Sequence, residues 1–160
     1  MTGKFHMILA ILLLFIIHES CQNDKKDEIK ILENKLHLIC KNSKNKKLYF
    51  IIIPQSGCPG CIERSLKFVR NNISNDSSYY VVLTNITDKK YFSHIVGTKV
   101  LGSKNIQFDH NNEIGILSHT SFYPKIVLIR NGKIKSIVEA NPENKNIWDK
   151  ISVNQKSIFQ

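Results

Sequence analysis

Residues 48–71 read LYFIIIPQSGCPGCIERSLKFVRN, two unlike halves joined at a short polar break. Leu48 to Pro54 is a continuous apolar run with aromatic and β-branched side chains, the composition of a strand buried on both faces. Gln55-Ser56-Gly57 interrupts it. From Cys58 to Asn71 the apolar residues Cys61, Ile62, Leu66 and Val69 recur at helical spacing among Glu63, Arg64, Lys67 and Arg70. This predicts an amphipathic helix beginning at or just after Cys58. A buried strand that passes into a helix at a cysteine places that cysteine where the first-turn N–H groups lack internal partners and the helix dipole is positive. A thiolate at Cys58 is favoured there, and its pKa is expected below the value of about 8.5 for a free cysteine. Cys61 lies one turn further along the same face, within reach of a mixed disulfide at Cys58, so the pair can act as a reversible dithiol switch.

Working outward, Ser78 to Thr84 reads as a second apolar strand with Tyr79 to Leu83 at its centre, and Asp88 to Val96 as a short helix with Thr87 as candidate N-cap and Gly97 near its end. Ile106 to Asp109 is expected to form a short strand before the turn-rich stretch His110 to Asn112. Lys125 to Arg130, Asn131-Gly132 and Lys133 to Ala140 read as strand, two-residue turn and partner strand. Asn141-Pro142 stops the sheet, and Pro142 as first helical residue leads into a helix over Glu143 to Ile151. Upstream, Ile29, Leu32, Leu36 and Ile39 mark one face of a helix within Asp27 to Cys40, while Ile31 and Leu38 fall off that face. Cys40 sits beside Ile39 on the apolar side, the position of a buried, inert thiol rather than a third redox partner. This order of elements calls for an α/β fold with a mixed central sheet flanked by helices.

The first 20 residues read as an address. Lys4 precedes the unbroken apolar run Met7 to Ile17, and His18-Glu19-Ser20 leads to Cys21. Eleven apolar residues cover roughly 16 Å as a helix, against about 30 Å of bilayer hydrocarbon, so a cleaved signal peptide fits better than a spanning helix. The cysteine that follows resembles the lipobox of bacterial lipoproteins, in the looser form of Bacteroidetes-like bacteria. That resemblance implies lipidation of Cys21 after cleavage and a polar tether over residues 21–28. A single domain over residues 29–160 follows, in the cell envelope and anchored to a membrane that faces the periplasm or the cell surface.

One hundred and sixty residues suit one ordinary domain, and four cysteines are too few for a disulfide-stapled scaffold. The net charge of +10 draws the chain toward anionic surfaces without choosing among them. Its basic residues are spread over the chain with no aromatic-basic platform, which argues against nucleic-acid binding. No metal set is legible: there is no second CxxC, and Cys40, His94, His110 and His119 are scattered. Ile62 stands where haem attachment requires His, and no cofactor is called for.

Cys58-Pro59-Gly60-Cys61 at a strand–helix junction, a second strand and helix, then Tyr123-Pro124 directly before a strand hairpin and a terminal helix together resemble the thioredoxin-like superfamily, from about Leu48 to Ile151. The added N-terminal element and lipobox are similar to those of its membrane-tethered thiol-disulfide oxidoreductases. The resemblance implies a three-layer fold and exchange of disulfides with exported proteins, with Cys58 as nucleophile and Cys61 as resolving thiol. It implies a substrate groove that includes Pro59, Gly60, Tyr123 and Pro124, with Pro124 in the cis form and packed against the disulfide. The implied partners are protein thiols and disulfides, an electron donor or acceptor, and the membrane through the lipid anchor. Three features depart from the family: Gly57 stands where thioredoxins carry Trp, the strand before it holds no buried carboxylate, which leaves water or Glu63 to move a proton at Cys61, and Tyr123 stands before the proline where Thr or Val is commoner. The alternative function is a thioredoxin-fold lipoprotein whose CxxC is a static bridge in a binding or structural module.

Overall fold

The computed structural model describes residues 26–40, 47–73, 78–120, 122–144 and 146–152. Signal peptide, Cys21 and the first part of the tether lie outside the described residues.

The apolar run becomes β1 (Lys47–Pro54), and all but its first residue is buried. It occupies the middle of a five-stranded sheet of order β3-β2-β1-β4-β5. β2 (Tyr79–Thr84) lies parallel on one side of β1 in the register Ile51 to Val81, and β3 (Ile106–Phe108) continues parallel beyond it. β4 (Lys125–Arg130) lies antiparallel on the other side in the register Ile51 to Ile126, and β5 (Lys133–Glu139) completes the hairpin. Asn131 and Gly132 take positive φ values of 53° and 74°, the backbone that a two-residue hairpin turn needs.

Period-two alternation splits β1 between two cores. Tyr49, Ile51 and Ile53 point to one face, where they meet Ile62, Leu66 and Val69 of α2 (Pro59–Asn72), Phe92 of α3 (Lys89–Val96) and Ile151 of α6 (Ile147–Ser152). Leu48, Phe50 and Ile52 point to the other, against Leu32, Leu36 and Cys40, which belong to or directly follow the helix α1 over residues 26–39. Two helical layers thus cover a mixed sheet, as expected of a thioredoxin-like three-layer α/β fold. Three side chains tie α1 down: Glu33 accepts from Ile134 N (2.7 Å) and pairs with Lys133 Nζ (3.2 Å), Lys35 pairs with Glu113 of α5 (Glu113–Leu117), and Glu28 meets His119 Nε2 at 3.3 Å.

Several expectations shift in detail. α1 runs over residues 26–39, close to the helix expected within Asp27 to Cys40, and its apolar face over Leu32 and Leu36 gives it a sheet to pack on, so the tether expected over residues 21–28 ends in helix. The cap of α3 is Asp88 rather than Thr87: its carboxylate accepts from Lys90 N (2.8 Å), while the Thr87 and Asp88 N–H groups both go to Gln55 Oε1. Gly97 ends that helix and opens a single further turn, α4 (Thr98–Leu101). After Pro142 the chain forms a 3₁₀ turn (Pro142–Asn144) before α6, not one continuous helix. Asn141 Oδ1 accepts from both Glu143 N and Asn144 N and tightens the start.

Candidate functional site

The polar break after β1 delivers Cys58 to the N-cap of α2, in extended backbone (φ −70°, ψ 105°), with Pro59 as the first helical residue. Cys58 and Cys61 form a disulfide with a Cα–Cα separation of 5.3 Å, within the ordinary range. The two sulfurs are not equivalent. Cys61 is 4% exposed and packs into the α2 face of the core, whereas Cys58 is half-buried behind the exposed Pro59 and Gly60.

Backbone hydrogen bonding limits what can reach a thiolate at Cys58. An N-cap side chain takes its hydrogen bond from the second or third helical N–H, here Gly60 or Cys61. The Cys61 N–H already donates to Cys58 O at 3.1 Å, as does that of Ile62 at 3.0 Å. Among the described residues the Gly60 N–H is left free for the sulfur. No charged side chain occurs in residues 55–62 or 120–124, the two segments that flank the disulfide, so the helix terminus supplies the electrostatic support. Glu63, the one carboxylate considered for proton transfer, is exposed on the first turns of α2.

The segment leading into β4 meets the pair through Phe122. Its carbonyl accepts the Cys58 N–H at 2.9 Å and lies directly on Gly57, where an added Cβ would fall within 2.9 Å of both Phe122 C and Phe122 Cα. Gly57 also has φ +141°, a conformation side-chain-bearing residues rarely adopt. The absence of Trp before the first cysteine therefore has a cause in packing: the Phe122 backbone occupies that volume. The Phe122 ring itself is 53% exposed and stacks edge-on against Tyr123 at 4.8 Å.

Of the groove residues inferred from resemblance, Pro59 and Gly60 are exposed beside Cys58, Tyr123 is half-buried and Pro124 is buried. The cis expectation for Pro124 is corrected, since no cis peptide bond occurs among the described residues. Trans is the ordinary form even before proline. The backbone contact to the pair is made by Phe122, two residues earlier. Sequence reasoning missed Phe122, whose carbonyl role carries no side-chain signature; Gly57 before the motif was the available hint.

A cleft of about 260 Å³ opens beside this loop, lined by Asn85, Asn112, Gly115, Ile116, His119 and Thr120. Asn85 connects it to the pair's own loop by donating from Nδ2 to Ser56 Oγ at 2.7 Å. Asn85, Asn112 and His119 all have positive φ. On the other side of the sheet Cys40 is 7% exposed, and burial pushes its thiol above the ordinary value, which suits an inert core cysteine.

No family model matches the chain, and neither a curated protein nor a solved structure is matched by it. The class is therefore defined by the molecule itself: an α/β protein with a mixed sheet and a CxxC disulfide at the N-terminus of the helix that follows its central strand.

Proposed function

We propose that this protein is a thiol-disulfide oxidoreductase that exchanges disulfides with exported proteins and is held at the cell envelope by a lipid on Cys21. The observation that carries the reading is the asymmetry of the pair: a half-buried sulfur at the helix terminus and its partner buried at 4% exposure. The Cys58 thiolate attacks a substrate disulfide, forming a mixed disulfide and releasing one substrate thiolate. Cys61 then attacks Cys58 Sγ, closing the internal disulfide and releasing the second substrate thiol. Two electrons pass from the dithiol to the substrate, and the reverse sequence oxidises a substrate dithiol. Proline at the first helical position and the Phe122 carbonyl on Cys58 N hold the N-cap backbone in place in the oxidised form.

The test is a redox titration of the pair by thiol trapping, together with Cys58→Ser and Cys61→Ser. Exchange should disappear in Cys58→Ser, while Cys61→Ser should accumulate a mixed disulfide. A potential between about −270 and −120 mV fits an exchanging pair. A pair that stays oxidised below about −300 mV identifies the static bridge of a binding module and overturns the proposal.

A further inference from the structure

Pro59 and Gly60 are exposed beside Cys58, and the outer face of α2 continues from them, so it is one of the surfaces a partner at Cys58 can cover. Gly60, Arg64, Lys67 and Asn71 follow one another at spacings of four, three and four, which aligns them on one helical face, and all are exposed. At a rise of 1.5 Å per residue, Arg64 lies about 9 Å and Lys67 about 13 Å along the axis from Cys58, so at 0.1 M salt Arg64 is within roughly one Debye length of the reacting sulfur and Lys67 a little beyond it. No ion pair joins Arg64, Lys67 or the next basic residue, Arg70, to a described carboxylate; the paired bases Lys35, Lys125 and Lys133 lie elsewhere. Both cations border a cleft of about 500 Å³ between α2 and α6, walled by Phe68, Asn71 and Trp148, with the Phe68 and Trp148 rings 5.1 Å apart. Asp149 lines the same cleft and has an interaction of its own. Glu63 adjoins Arg64, so Glu63 and Asp149 are the carboxylates that oppose the two bases.

We propose that this α2 face docks an acidic segment of the protein whose disulfide is exchanged, its carboxylates set against Arg64 and Lys67. The inference rests on the exchange proposed at Cys58 and adds the charge of the partner. An open cleft lined by aromatic rings and amides suits peptide side chains, and the guanidinium and ammonium groups in its lining, which no described carboxylate pairs, outnumber its one carboxylate, Asp149, and give a carboxylate-bearing segment the complementary potential.

Two synthetic peptides with the same internal disulfide, one flanked by Glu and the other by Lys, test this against the full chain carrying Cys61→Ser. The readout is the second-order rate of mixed-disulfide formation, each peptide normalised to its own rate with dithiothreitol. One pair of opposite charges about 7 Å apart in water changes a rate about threefold, and two pairs about tenfold. The lysine peptide is repelled by as much as the acidic one is attracted, so the acidic peptide should react about tenfold faster or more at low ionic strength, with the gap closing in 0.5 M NaCl. Arg64→Glu with Lys67→Glu should invert the preference, and Glu63→Gln should widen it. Equal normalised rates at low salt, or a preference that survives the charge reversal, overturn the docking assignment while exchange with both peptides stands. Failure of Cys58 to form a mixed disulfide with either peptide overturns the exchange reading and this inference with it.

Discussion

Gly57→Ala probes the contact that joins the two halves of the site. At φ +141° an L-residue is strained by about 1–3 kcal/mol. The new methyl would also overlap the Phe122 backbone, which lies within 2.9 Å of the added Cβ at two carbon atoms. Relief requires residue 122 to move away, and the Cys58 N–H bond to Phe122 O, now 2.9 Å, goes with it at a further cost of about 1 kcal/mol. Reduced entropy of the unfolded chain returns about 0.4–1 kcal/mol. The balance is a loss of about 2 kcal/mol, a fall of roughly 1 M in the urea midpoint for a slope of about 2 kcal/mol/M. Gly60→Ala is the matched control three residues away. Nothing lies within 4 Å of its added Cβ, and alanine inside the first turn of a helix should stabilise by up to about 1 kcal/mol. Urea unfolding of the oxidised protein, followed by circular dichroism, measures both. Equal midpoints for the two variants would refute the assignment of Gly57 as the residue that admits the Phe122 backbone.

Two other perturbations have defined directions. Asp109 caps α5 with both oxygens, accepting from Glu113 N (3.0 Å) and Gly115 N (2.9 Å), so Asp109→Ala should cost about 1–2 kcal/mol in urea unfolding and speed amide exchange at Glu113 and Gly115. The Lys35 ammonium, through its hydrogen bond and its charge, holds the Glu113 carboxyl below its usual range. A depressed folded pKa gives stability that is full above the unfolded value of about 4.3 and is lost as pH falls through the folded one. Lys35→Met should therefore flatten the acid limb of stability against pH below about pH 4, and an unchanged limb in urea titrations across that range would discount the pair.

Legibility from sequence followed the range of the interactions. The run Leu48 to Pro54 could become little other than a central strand, because seven consecutive residues unfit for water need neighbours on both faces and both edges. The CxxC at its end, the helical spacing after it and the Asn-Gly turn are local features, set by backbone conformation and a 3.6-residue period, and each is found where the sequence places it. The short helices α4 and α5 gave no such sign. Four and five residues are too few for a period to declare itself, and α5 is held by a carboxylate outside the helix and an ion pair to α1.

From the sequence alone come the order of the five strands and the longer helices, the two cysteines of the disulfide and the expectation of an address at the N-terminus. Only the tertiary structure decides which sulfur is buried, which first-turn N–H remains free, and that the Phe122 carbonyl accepts the Cys58 N–H. The last of these depends on backbone groups more than sixty residues apart meeting across the end of the sheet. A carbonyl group is common to every residue, so its partner becomes visible only when the chain has folded.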